Sequence, residues 1–214
     1  MFICFEGIDG AGKSTQARML YEHLTAAGVT AEIVADPGTT QIGRAIRQIL
    51  LESEAPISTA AQMLLFSAGR AELAEYIRRR IAEGVTIICD RWLLSTLVYQ
   101  GEINNIATDL ILKIFQETCG NLQPDICFLL DLPPEDARER MGKPSDRYEK
   151  RCLADRQRMR TAYMRFAGLH PNAGVLYPID ASRTPEATSD LIYSLVRGSS
   201  PALTEESNAS EFAR

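Results

Sequence analysis

The sequence is short of the features that mark secreted, membrane-bound or DNA-binding chains. It has no excess of positive charge: the net charge is -5, which leaves no electrostatic footprint for a nucleic acid polymer or an anionic membrane. No apolar run approaches the length of a membrane span. There is no room for a signal peptide, because the first residues already read as a core strand; a cytoplasmic location is expected. The five cysteines (Cys4, Cys89, Cys119, Cys127 and Cys152) are odd in number and no pair has metal-site spacing, so they read as reduced, buried thiols. Only two histidines are present. His23 reads as a helix-surface residue and His170 as part of a turn, each without an evident partner. There is no internal repeat.

What is present is an ordinary globular chain of 214 residues, enough for one domain with a full core. Apolar strand-like runs at 2–6, 31–35, 85–89, 126–132 and 175–179 alternate with helical patterns. The helical patterns cover 13–27, 41–51, 58–83, 92–100, 106–118, 134–141, 149–168 and 185–197, with Ser58 as a cap and a break at 101–105. On the first helix Ala17, Leu20, Tyr21 and Leu24 share one face, and on the second Ile42, Ala45, Ile46, Ile49 and Leu50 recur at helical spacing. Strands alternating with helices predict an α/β sandwich around a five-stranded parallel sheet. Residues 1–197 are expected to be one domain. Residues 198–214 lose periodicity and are rich in Ser, Ala and Glu, which predicts a disordered tail.

The stretch Gly7, Ile8, Asp9, Gly10, Ala11, Gly12, Lys13, Ser14 fits the pattern G-x-x-x-x-G-K-[ST], between a strand and a helix. That context makes it a phosphate-binding loop. The glycines let successive N–H groups turn inward, and the helix start adds partial positive charge. Lys13 is expected to reach the outer phosphates of a nucleoside triphosphate. Ser14 is expected to hold magnesium, and Thr15 completes the ATP-binding segment.

Asp90 and Arg91 follow the third strand, at the sheet edge where parallel α/β folds place ligands. Asp90 is a second candidate for magnesium, or else a helix cap. Arg91 is a candidate bidentate clamp on another phosphate. Phe66 and Arg70 lie one turn apart on a helix, so they can stack a base and hold its polar edge; the alternative for Phe66 is a core position. Arg138, Arg140, Lys143, Arg147, Lys150 and Arg151 form a basic cluster, either a solvated face or a lid. Phosphoryl transfer is mostly positioning and charge neutralisation, which arginines on a closing lid would supply.

Taken together, the segments FEGIDGAGKSTQ (5–16), LLFSAGRAE (64–72), DRWLLSTLVYQG (90–101), PDICFLLDLPPE (124–135) and DRYE (146–149) resemble the thymidylate kinases of the bacterial kind. The resemblance spans residues 1–196. It implies the three-layer P-loop nucleoside monophosphate kinase fold and transfer of the ATP γ-phosphoryl group to dTMP, with Mg2+, in a homodimer formed through helices near 58–83 or 92–118. It implies that Phe66 stacks on thymine, that Arg70 contacts the base or its phosphate, and that Arg91 binds the dTMP phosphate. It places Asp9 at the acceptor sugar, Tyr99 against the sugar 2′ position and Gln100 near the base. Gly10 follows Asp9 where some members carry a basic residue, which implies that the missing charge sits on a lid at about 138–149, from Arg138, Arg140 or Arg147.

Two departures stand out. The family often has Arg-Glu-Pro-Gly-Gly-Thr after the second strand; this chain has Ala35-Asp36-Pro37-Gly38-Thr39-Thr40. The lid loop is also short. The altered acceptor segment admits another pyrimidine acceptor, dUMP or a 5-substituted analogue. The phosphate loop alone would also suit a slow nucleotide switch, but Phe66, Arg70, Arg91 and Gln100 would then have no purpose, and there is no Asn-Lys-x-Asp guanine-reading segment.

Overall fold

Strand β1 (Phe2–Glu6) is buried along its whole length, which is why it reads as an unbroken apolar run closed by a single acid. It is the middle of a five-stranded, all-parallel sheet whose other strands are β2 (Ala31–Ala35), β3 (Thr86–Asp90), β4 (Ile126–Asp131) and β5 (Val175–Asp180). The order is β2-β3-β1-β4-β5. The computed structural model describes residues 1–142, 148, 151–169 and 174–199. The expected α/β architecture and all five strands are observed. Strands β2 and β5 lie at the edges, are partly exposed, and tolerate Pro178 where an inner strand would not.

Register fixes the site. Phe5 pairs with Asp90, and the pairing runs on beyond the strands: Arg91 N donates to the Phe5 carbonyl (3.0 Å) and Asp36 N to the Asp90 carbonyl (3.2 Å). The phosphate loop, Asp36 and Arg91 therefore converge at the C-terminal edge of the sheet, where β1 lies between β3 and β4.

The helices are α1 (Lys13–Ala26), α2 (Gln41–Glu52), α3 (Thr59–Ala82), α4 (Leu93–Thr96), α5 (Thr108–Cys119), α6 (Pro134–Met141), α7 (Leu153–Leu169) and α8 (Pro185–Ser199). Helix α1 buries Ala17, Leu20 and Leu24. Tyr21, expected on that face, is at its edge and exposed, because successive residues on a helix are about 100° apart. In α2 only Gly43, Ile46 and Leu50 are buried, while Ile42 and Ile49 face outward. Ser58 caps α3, accepting a bond from Ala61 N (3.3 Å). Trp92 fills the core between Phe2 and Phe115, edge-on to both at 5.3 and 5.9 Å. Truncating such a side chain to alanine typically costs about 3–5 kcal/mol.

Several expectations need correction. Helix 92–100 does not stop before Gly101. After α4 the chain widens into a π-helical segment, Leu97–Ile103, and turns only at Asn104. Gly101 marks close packing rather than a break: a Cβ there would lie 3.4 Å from Ile111 Cδ1 of α5. Helix α7 starts at Leu153, not 149, and α8 continues to Ser199. The rest of the predicted tail, 200–214, lies outside the described residues. Cys4, Cys89, Cys119 and Cys127 are buried free thiols, but Cys152 is exposed. His23 has a partner after all, stacking on Tyr193 of α8 with centroids 4.7 Å apart; His170 is outside the described residues.

Candidate active site

The loop after β1 is pinned from both sides. At Gly7 a Cβ would lie 2.5 Å from the Leu130 carbonyl oxygen of β4, so only glycine lets the chain pass. At Gly10, with φ +88°, a Cβ would overlap the Ala137 carbonyl oxygen of α6 and come within 2.9 Å of Met141 Cγ. The loop then enters α1 through Gly12, presenting the N-terminal amides of that helix.

Lys13 is buried and donates from Nζ to the Ile8 carbonyl (2.9 Å). Burial first, and then the Arg91 charge, lower its pKa to about 8. Ser14 Oγ donates to Asp90 Oδ2 at 2.5 Å, so the two expected metal-binding groups stand side by side. Both are hard oxygen donors, the type magnesium takes alongside nucleotide phosphates. The described residues contain no group of three or more His, Cys, Asp or Glu side chains able to hold a metal by themselves.

Arg91 has a positive φ of 77° and is heavily committed. Its Nη1 donates to the Gly7 carbonyl (3.1 Å), Ser95 Oγ (3.0 Å) and Tyr163 OH (3.1 Å). Its Nη2 pairs with Asp9 Oδ1. The other Asp9 oxygen accepts from Tyr99 OH (2.7 Å). Burial pushes the Asp9 carboxyl upward, but Arg91 and Lys13 outweigh it and hold the pKa at about 2.

Across the cavity, Arg70 Nε donates to Asp36 Oδ2 at 2.5 Å, both residues being buried. Burial lifts the Asp36 carboxyl above its usual range, and Arg70 pulls it back. Burial also works against the charge on Arg70, which Asp36 more than offsets. This segment packs against α3 at Gly69, where a Cβ would be in ordinary contact with Pro37 Cβ at 3.4 Å. Arg47 Nη1 reaches the Pro37 carbonyl (3.1 Å) from α2. Phe66 is half-buried, with the edge of Tyr148 against it at 5.8 Å. Tyr148 OH donates to Gln62 Oε1 of α3 (2.9 Å).

These groups line one cavity of about 940 Å³. It runs from the loop, Lys13, Ser14 and Asp90 past Arg91 to Asp36, Phe66, Arg70, Tyr99 and Gln100. Four buried polar atoms on its lining residues, Gln16 Oε1, Asp36 Oδ1, Thr96 Oγ1 and Gln100 Nε2, have no hydrogen-bond partner among the described residues. Arg140 also lines the cavity and is anchored to the Ala181 carbonyl (2.9 Å). Arg138, though on the same helix, is exposed and does not reach the cavity. Arg147 lies outside the described residues.

Several residues of the site escaped the sequence reading. Arg183, Thr188 and Tyr148 line the cavity. Arg156 of α7 is buried and donates to the Asp9 carbonyl (3.2 Å). Glu6 lies beneath the loop, accepting from Trp92 N (2.8 Å), Ser95 N (3.2 Å) and Ser95 Oγ (2.5 Å), and burial raises its carboxyl pKa. Ser95 was in view within the segment after Asp90. Arg156 and Tyr163 come from a helix with no signature of its own.

The family model described as thymidylate kinase matches residues 5–192. The chain is 38% identical over 192 residues to the thymidylate kinase of Rhodopirellula baltica, covering 89% of this chain and 77% of that one. It is 39% identical over 200 residues to that of Chlorobium chlorochromatii (87% and 89% covered). It is 44% identical over 177 residues to that of Pelodictyon phaeoclathratiforme (77% and 81% covered).

Proposed function

The chain belongs to the thymidylate kinase family, and from that premise we infer that it transfers the γ-phosphoryl group of ATP to dTMP, giving dTDP and ADP. One observation carries this to the site: a single cavity of about 940 Å³ joins the phosphate loop to an aromatic and arginine-lined end. A cavity at the top of the usual range for small-molecule sites suits two nucleotides better than one.

In this reading Lys13 and the loop amides hold the donor phosphates. Arg140, beside the cavity, neutralises charge on the donor side together with the lid. Arg91 takes the acceptor phosphate, and its partner Asp9 faces the acceptor sugar. Phe66 stacks on the base, and Arg70 holds the base edge or its phosphate. Gln100, whose Nε2 has no partner among the described residues, is placed near the base. Tyr99, tied to Asp9, narrows the sugar site against a 2′-hydroxyl. Attack by the acceptor phosphate oxygen on the γ-phosphorus then needs little more than alignment and charge neutralisation.

Mg2+ is part of the proposal. Ser14 and Asp90 would hold it, Asp90 directly or through water, and it would neutralise charge on the donor phosphates. No described helix is long and apolar enough to cross a membrane, and a cytoplasmic enzyme is proposed. A homodimer is proposed too. Leu64 of α3 and Leu110 of α5 are exposed on adjacent helices, the face a second copy would cover. Sedimentation equilibrium is expected to give about twice the 23.7 kDa chain mass; a monomer at assay concentration would contradict it.

The altered 35–40 segment supports a second reading, a kinase for dUMP or a 5-substituted analogue, because Ala35 to Thr39 line the cavity. A coupled ADP-release assay tests the function itself. ADP is expected only when a monophosphate is present. Release that ignores every added monophosphate would instead support the nucleotide-switch alternative.

A further inference from the structure

Glu6 has no part in the transfer described above, yet it is 1% exposed and sits directly under the phosphate loop. A buried carboxylate is costly unless its oxygens are satisfied. Here Oε1 accepts the Trp92 and Ser95 amides, both on the turn that follows Arg91. Oε2 accepts the Ser95 hydroxyl at 2.5 Å.

That last bond sets the direction of the others. With its proton given to Glu6, the Ser95 oxygen can only accept. It accepts from Arg91 Nη1 at 3.0 Å, and the Tyr163 hydroxyl stands 2.8 Å away. Tyr163 OH in turn accepts from Arg91 Nη1 at 3.1 Å, so its own proton is free for Ser95. Burial raises the Tyr163 pKa and keeps that proton in place. Every proton in the chain Tyr163–Ser95–Glu6 thus points away from the guanidinium, and every oxygen lone pair needed by Nη1 is open. The Nη1 edge is consumed by the protein, while the Nη2 edge is turned to Asp9, on the cavity wall.

We propose that Glu6 is a positioning residue for phosphoryl transfer, fixing the Arg91 guanidinium through Ser95 and Tyr163. The proposal rests on Arg91 engaging the acceptor phosphate. A clamp displaced by about 1 Å can lose on the order of 100-fold in rate, so a buried device that fixes one rotamer is worth its desolvation.

The test uses Glu6→Gln in the full chain. The glutamine oxygen can still accept from the two amides, but its NH2 must donate to Ser95, which turns the serine proton toward Tyr163 or Arg91. Expected is a fall in kcat/KM for dTMP of about 10- to 100-fold, with the KM for ATP within about twofold of the parent. In an Arg91→Ala background Glu6→Gln should cost nothing further, since the two act through one group. Ser95→Ala, which leaves both amide bonds to Glu6 intact, should reproduce the loss without depending on how Glu6→Gln folds. If Arg91→Ala leaves dTMP turnover intact, the reading of Arg91 fails. If Arg91→Ala is severe while Glu6→Gln and Ser95→Ala are silent, or if their losses multiply with that of Arg91→Ala, the positioning proposal alone is overturned.

Discussion

Lys13 and Asp9 lie four residues apart on one loop, and the same surroundings lower both pKa values, which favours the Asp9 anion and works against the Lys13 cation. Asp9 is held near a pKa of about 2 and stays an anion under any working condition. Lys13 is brought down to about 8. Only its ammonium form can bind phosphate, and that form predominates at neutral pH and is lost as pH rises through about 8. The pH profile of kcat/KM for ATP, which reports the free enzyme, is expected to fall about tenfold per pH unit above 8. A profile flat to pH 9.5 would contradict this. Lys13, Ser14, Asp90 and Arg91 were legible in the sequence because each belongs to a contiguous motif with its own spacing rule. Glu6 and Tyr163 were not, since their contacts with Ser95 are made across 89 and 68 residues by sheet register and by the packing of α7. Nothing local to either residue records that meeting.

Between loop and helix, the meaning of Gly10 changes. In the sequence it was an absent charge. In the fold it is the point where the phosphate loop touches α6, closed to any side chain by the Ala137 carbonyl. Gly10→Arg would therefore not move the charge from lid to loop. A left-handed conformation costs a non-glycine residue about 1–2 kcal/mol, and α6 would also have to shift. At this chain length that lowers Tm by roughly 3–8 °C, with no gain in kcat. An unchanged melting curve, followed by differential scanning fluorimetry, would refute the contact. Strands and long helices were readable from periodicity. The π-helical segment Leu97–Ile103 was not, because a widened turn has no hydrophobic period of its own and Gly101 looks like a stop. Yet that segment carries Tyr99 and Gln100 into the cavity, and π-turns often lie at functional sites.

At the scale of the whole molecule, the strand order puts β1 in the centre, so the loop after it lies between the segments that follow β3 and β4. Alternation of strands and helices announced a parallel sheet; it could not announce which strands flank β1. That order is what brings Asp36 from beyond β2 and Arg91 from beyond β3 to one cavity wall. The shortened acid at 36 still reaches Arg70 there. The Asp36–Arg70 ion pair therefore stands on that wall. Specificity constants for dTMP, dUMP, dCMP and dGMP, measured with saturating ATP and magnesium, test the account most directly. It predicts the highest kcat/KM for dTMP; equal or better use of any other acceptor would contradict it.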